Sequence, residues 1–403
     1  MYKLPILFTL VLQLSLTVHG TSQEGFLDFI LKEQDANVNI DDIIYKNGSI
    51  YVRGNILIDS IGRFGLFVAQ LDTMGNTKKF SFHYEPGVNM ITRTPTRFQL
   101  LDDNKLLLPN YYFATNTLAL SVWDSLGTSL ISTGYPKSER TIYPHEAFKI
   151  GDAYYLFGII QRSNYLRDDF MMKIDSNGNE VWFKYIGVYG HSETIGAVVK
   201  NLDNTFTVST SRYTKDYFDP ETPYAWRRPI LYGIDTSGAI LWEWVGEYND
   251  PKTHGGGPFH HLSNGDWIII SDDIIEVPLQ YSAEIWTAPT ISRLDSNFNL
   301  MWKDTLIEFA FYQNKIVDME YDEVRDEIIL VGNRYFEYEE VESAVWVIKM
   351  KTSGEILWEI TDTLSYNKKE THYTAGVALS PSGSIYYQVT IEVKFLSYIQ
   401  EGG

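Results

Sequence analysis

The sequence predicts an all-β fold on three observations. The stretch IDSNGNEVW (174–182) returns as IDTSGAILW (234–242), LDSNFNLMW (294–302) and MKTSGEILW (350–358), with degenerate copies at LDTMGNTKK (71–79) and WDSLGTSLI (123–131). Aromatic residues make up 15% of the chain, and strands favour them. Between the copies, paired apolar stretches flank short polar turns and lack the 3.6-residue period of a helix.

The residues leading each copy are Asp72, Asp124, Asp175, Asp235, Asp295 and Lys351. Their spacing of roughly 50–60 residues marks one structural unit repeated along the chain. Each unit opens with a hairpin. The hairpins are DIIYKNGSIYVRG (42–54), FQLLDDNKLLLPN (98–110), FKIGDAYYLFG (148–158), VVKNLDNTFTVST (198–210), HHLSNGDWIIIS (260–271), MEYDEVRDEIILVG (319–332) and VALSPSGSIYYQV (377–389). Asn, Asp and Gly at their tips accept the positive φ that tight hairpins need. A third strand leads into D-x-x-G, where the Asp accepts turn N–H groups and the Gly gives the tip its freedom. The fourth strand carries a Trp expected to pack between neighbouring sheets.

Four antiparallel strands in a unit of this length imply a single β-propeller. Seven first hairpins against six D-x-x-G turns predict seven four-stranded blades, with six and eight as the other counts. The last blade takes two strands from 377–389, a third from KFLSYIQ (394–400) and its fourth from the N-terminal GFLDFILKE (25–33). Closing the ring this way leaves no exposed sheet edge.

Leu4 to Val18 form an apolar run behind Lys3, with small Val18 and Gly20 at a cleavage position. Residues 1–20 therefore read as a signal peptide and 21–403 as the propeller domain, secreted to the extracellular space or periplasm. The run is shorter than the ~20 residues that span a bilayer, so no membrane insertion is expected. The chain has 52 acidic and 33 basic residues, a net charge of −19. Such a field repels nucleic acid and anionic membranes. With no cysteine, thiol nucleophiles, disulfides and thiolate metal sites are excluded.

The repeat resembles the tryptophan-docking repeat of pyrroloquinoline-quinone-like propellers. Asp175, Gly178 and Trp182 match it, as do Asp235, Gly238 and Trp242; Phe298 replaces the Gly of the next copy and Lys351 the Asp of the one after. The turn is one residue shorter than in the quinone enzymes, and their vicinal cysteines have no counterpart. The resemblance thus implies the fold and no cofactor. The pattern also looks like uncharacterised secreted bacterial propellers. A weaker likeness, to arylsulfate sulfotransferase-like propellers, rests on Trp242, Trp244, His260, His261, Asn264 and Gly265.

His145, His191, His254 and His372 each fall shortly before a first strand, and His260 and His261 lie at the start of one. In a propeller the first strands line the central channel in the same direction, so these residues are expected near one mouth. Imidazole there suits acid–base work or anion recognition. Glu146 and Glu193 stand beside two of these histidines, and Arg212 and Tyr213 complete the expected binding set. Gly255–Gly257 form a flexible approach to His260. DSNGN (175–179) and DSNFN (295–299) have Gly178 or Phe298 in the wrong place for a calcium loop, so no metal site is expected. No hydrolase, zinc-protease or dinucleotide motif occurs in a fitting context.

Two functions follow. The first is a non-enzymatic binding or scaffold propeller that takes a protein or carbohydrate ligand on one face. The long loops 211–228, 246–259 and 276–288, rich in Tyr, Trp, Pro and Arg, would build that face. The second is an arylsulfotransferase-like enzyme, with His260 or His261 as covalent carrier or base and Arg227 or Arg228 holding the anion.

Overall fold

The structure is a computed structural model. It describes residues 15–16, 38–58, 63–83, 96–112, 115–124, 129–136, 141–161, 167–188, 192–213, 227–246, 253–254, 257–278, 283–306, 313–335, 343–362, 370–373 and 376–393. Strand β1 is Ser15–Leu16. Blade 1 is β2 (Val38–Lys46), β3 (Ser49–Ile58), β4 (Arg63–Leu71) and β5 (Thr77–His83). Blade 2 is β6 (Gln99–Leu100), β7 (Leu106–Tyr112), β8 (Thr117–Trp123) and β9 (Ser129–Pro136). Blade 3 is β10 (Thr141–Ile150), β11 (Ala153–Gln161), β12 (Arg167–Ile174) and β13 (Glu180–Ile186). Blade 4 is β14 (Glu193–Lys200), β15 (Phe206–Tyr213), β16 (Arg227–Ile234) and β17 (Ile240–Val245).

In blade 5 the first strand is split into β18 (Thr253–His254) and β19 (Phe259–His261). Both pair with β20 (Trp267–Pro278), which is followed by β21 (Ala283–Leu294) and β22 (Leu300–Thr305). Blade 6 is β23 (Gln313–Asp322), β24 (Glu327–Tyr335), β25 (Ser343–Lys351) and β26 (Ile356–Asp362). A seventh sector holds β27 (Glu370–Tyr373) and β28 (Val377–Leu379), both paired with β29 (Ile385–Val393).

The fold is thus an all-β single propeller, as expected, but the blade count needs correction. Six blades carry the four-stranded pattern, not seven. The seventh sector differs because, among the described residues, the outer neighbour of β29 is only the two-residue β1, which pairs Ser15 with Val389 and Leu16 with Gln388. The expected closing strands 25–33 and 394–400 lie outside the described residues. No helix among the described residues is long and apolar enough to cross a membrane.

Local chemistry explains the strand breaks. Asn47 and Gly48 have φ of 52° and 71°, giving the two-residue hairpin between β2 and β3. In the D-x-x-G turns, the Asp175 Oδ1 accepts the N–H groups of Asn177 and Asn179 at 2.9 and 2.7 Å. Asp72, Asp235 and Asp295 accept their own turns in the same way.

The core lies between blades. Seven apolar clusters of described residues fill the successive interfaces. One of them joins Ile40, Ile43 and Val52 of blade 1 to Ala378 and Tyr386 of the seventh sector, so the seventh sector closes against blade 1 by packing. The repeat tryptophans bridge the same interfaces. A Cβ on Gly238, in the turn of blade 4, would lie 3.1 Å from the Trp182 ring of blade 3. Trp302 of blade 5 donates its indole N–H to Thr352 O in the turn of blade 6 at 3.1 Å.

Candidate functional site in the central channel

Four first strands contain a β-bulge at one equivalent place, between Ile40 and Asp42, Pro144 and Glu146, Ile195 and Ala197, and Ile316 and Asp318. A bulge inserts one residue and re-aims the side chains beside it. In three of the four, the residue just after the bulge is a carboxylate. Counting back from the hairpin turn, Arg97 of blade 2 and Gly376 of the seventh sector hold the same place.

Each carboxylate ties its blade to the next. Asp42 Oδ2 accepts the Phe98 N–H at 2.9 Å, and Asp318 Oδ2 accepts the Val377 N–H at 2.9 Å. Glu146 accepts the Val198 N–H. The Arg97 guanidinium of blade 2 reaches Asp318 of blade 6 and donates to Oδ1, so this ion pair crosses the channel. A Cβ at Gly376 would stand 3.3 Å from Asp42 Oδ1 and 3.5 Å from Asp318 Oδ2, which brings both carboxylates to one point on the axis.

Burial sets the protonation of this cluster. Loss of water pushes Asp42 up to about 7, Glu146 to about 8 and Glu320 to about 8; Arg97 pulls each back and the neighbouring carboxylates push each further. Burial works against the Arg97 cation too, but Asp318, Glu146, Asp42 and Glu320 outweigh it and hold the guanidinium charged. The result is one cation, paired with Asp318, beside three carboxyls, Asp42, Glu146 and Glu320, that retain protons near neutral pH.

A cavity of about 740 Å³ opens beside the cluster. It runs from Arg97 and Glu146 past Gln99 and Phe148 to Asp102, Asp103, Lys149 and Lys200 at the first-hairpin turns. That volume fits a small-molecule site. It lies toward the far end of the first strands from the mouth where the histidines were expected; of the described side chains expected at that mouth, Glu146 lines it and His145, His260, His261 and Arg212 do not.

His145 is the bulge residue of β10. It is buried, bonded to the Gly196 backbone and beside Arg97; burial first and the guanidinium second push its pKa down to about 3. His260 packs against Tyr321 at 5.1 Å between ring centres, and burial pushes it down to about 4. His261 stacks on Trp267 at 4.1 Å. The described histidines therefore have separate partners.

Arg212 is engaged rather than open. It donates to Glu193 Oε1 at 2.6 Å, Glu243 Oε1 at 2.7 Å and the Tyr232 hydroxyl. His254, His372, Tyr213 and Arg227 are described by backbone alone: His254 pairs with Asp272, His372 with Ile391, and Tyr213 with Arg227. His191 lies outside the described residues, as do 214–226, 247–252, 255–256 and 279–282 of the long loops.

Sequence reasoning placed Glu146 beside a histidine but missed Asp42, Arg97, Asp318 and Glu320. The available signal was a charged residue at a fixed distance before the hairpin turn in otherwise apolar first strands. Among the described residues, no group of three ligating side chains converges as a metal site.

No family model matches the sequence, and no curated protein matches it. Solved structures do. The chain is similar to hydrazine synthase of Kuenenia stuttgartiensis at 12% identity and a TM-score of 0.53, covering 90% of this chain and 97% of that one. It is also similar to the β-propeller domain of the Trilobed protease from Pyrococcus furiosus, at 9% identity and a TM-score of 0.47 over 88% and 90%. A third likeness is to the GH93 α-L-arabinofuranosidase of Fusarium graminearum, at 10% identity and 0.46 over 73% and 91%. At these identities the likeness is one of fold.

Proposed function

We propose that this chain is a secreted, non-enzymatic binding propeller that takes a saccharide in its central cavity. The observation that carries the reading is the cavity beside Arg97 and Glu146, concave and lined by groups of both signs next to Phe148. Sugar hydroxyls donate and accept at once, so they match mixed donors and acceptors better than an ion of one sign does. A protein partner would need a broad surface of ~800 Å² on each side, which a channel does not offer. The leader-like N-terminus supports action outside the cytoplasm, where polysaccharides are met.

The test is an oligosaccharide array followed by titration calorimetry. Gln99→Ala and Lys200→Ala alter the cavity wall without touching the channel ion pairs. Each is expected to weaken the retained sugar about tenfold, the scale of one lost hydrogen bond. Binding that ignores both substitutions, or no retained sugar, overturns the reading.

The transferase reading has one observation in its favour. His260 is held neutral, its pKa near 4 through burial, and neutral imidazole is the nucleophilic form. Aryl sulfate turnover abolished by His260→Ala would support it; no turnover by the native chain would end it.

A further inference from the structure

We propose that the cavity takes an acidic saccharide, with a uronate carboxylate seated on the open donors of Arg97 and drawn in by Lys149 and Lys200. This deepens the saccharide reading and rests on it.

The donors of Arg97 can be followed one by one. Among the described residues its guanidinium has one hydrogen-bond partner, Asp318, which it reaches through Nη2. Nε and Nη1 have no acceptor there, and neither is shut away from solvent. The side chain is 26% exposed and lines the cavity. A guanidinium presents its N–H groups as a planar fork, and a carboxylate is the planar acceptor that fits it.

The balance of charge agrees. Asp318 is matched by Arg97. At the rim Asp102 stands 3.5 Å from Lys46, and Asp103 stands 2.5 Å from Lys105. Lys149 and Lys200 line the same cavity, and neither has an ion-pair partner among the described residues, although Lys149 also lies in the field of Asp103. The deeper acids Asp42, Glu146 and Glu320 retain protons near neutral pH and add little charge. The cavity is thus left with a small positive surplus. The net charge of −19 opposes an anion from afar, but salt confines that field to about 8 Å. A sugar that carries one carboxylate among its hydroxyls meets both the surplus and the polar wall at Gln99.

The floor makes this binding depend on pH. The ionisable groups around Arg97 are Asp318, Asp42, Glu146, Glu320 and His145. Burial places Asp42, Glu146 and Glu320 at about 7, 8 and 8. His145 is held at about 3 by burial and by Arg97, so it stays neutral throughout. At pH 6.5 the floor is mostly protonated and a carboxylate is accepted. By pH 8.5 the three acids are mostly ionised and repel it.

Calorimetry at both pH values reads this directly. The probes are two pairs of tetrasaccharides, α-1,4-linked galacturonate with the galactose chain of the same linkage, and β-1,4-linked glucuronate with the matching glucose chain. At pH 6.5 the acidic member of at least one pair is expected to bind about tenfold tighter than its neutral partner. At pH 8.5 that preference should shrink to about threefold or less. Arg97→Gln should remove it, and Lys149→Gln, which leaves the channel ion pair alone, should reduce it about threefold. Where Arg97→Gln melts at a much lower temperature, Lys149→Gln and the pH trend of the native chain decide. Equal affinities in both pairs overturn the inference, as does a preference that ignores pH or survives in full in both variants. The saccharide reading then stands if the array retains a neutral sugar, whereas an array that retains none overturns both.

Discussion

The carboxylate of Asp318 on blade 6 receives the backbone N–H of Val377 in the next sector at 2.9 Å, while its other oxygen holds Arg97 of blade 2. One side chain thus joins three sectors of the ring. Asp318→Ala strips the partner from a buried N–H and from a half-buried guanidinium. Loss of a buried charge partner costs about 3–5 kcal/mol. Urea unfolding should show a drop of that size, whereas Asp318→Asn, which can still accept the Val377 N–H, should lose about half as much.

Stability should fall as pH rises from about 6.5 to 8.5. A carboxyl whose folded pKa exceeds its unfolded one binds an extra proton when folded. Its contribution is full below the unfolded value and is lost as pH passes the folded one. Asp42, Glu146 and Glu320, raised to about 7, 8 and 8, lose their contributions from the ordinary carboxyl range upward and finish losing them in this window. His145 and His260, depressed to about 3 and 4, act below 6.5 with the opposite sign, since a histidine buried neutral loses stability as pH falls. Melting followed across this range should show the decline. Glu320→Gln should flatten it by an amount on the order of 1 kcal/mol.

Gly238 meets two demands together. Its φ is +79°, and a Cβ would press on the Trp182 ring at 3.1 Å and on Lys184 at 2.9 Å. Gly238→Ala should cost about 1–3 kcal/mol in chemical denaturation, the sum of left-handed strain and a disturbed interface. Gly48→Ala has the same backbone strain but nothing within 4 Å, so it should cost less.

Phe298 occupies the glycine place of its turn at φ +64°, a left-handed conformation that bulky residues avoid. Its ring stacks on Trp267 at 5.7 Å and Trp244 at 6.0 Å and lies 5.3 Å from Trp242. Phe298→Gly relieves about 1 kcal/mol of strain and gives up stacking worth about 0.5–1.5 kcal/mol per pair. Phe298→Ala gives up the stack and keeps the strain. Thermal denaturation should therefore rank native above Gly and Gly above Ala.

Much of the fold was legible in the chain because it is written locally. The seven first hairpins follow from turn residues such as Asn47 and Gly48, whose φ preferences act over four residues. The D-x-x-G turns follow from Asp175 and its equivalents, which bind their own backbone. Trp182 and Trp302 do bridge blades. The blade count departs at the seventh sector, where the described outer partner of β29 comes from the other end of the chain. The site was less legible. Asp42, Glu146 and Asp318 sit just after bulges that re-aim them, and ring closure brings them to Arg97. Histidines are conspicuous in sequence, but burial had already taken His145 into the wall of the channel.

The most direct test of the account is a crystal structure of the chain soaked with the tightest-binding oligosaccharide from the array. Sugar density is expected in the central cavity, with hydroxyls toward Gln99 and Lys200. Sugar held on the outer loops, or an empty cavity at saturating ligand, would contradict it.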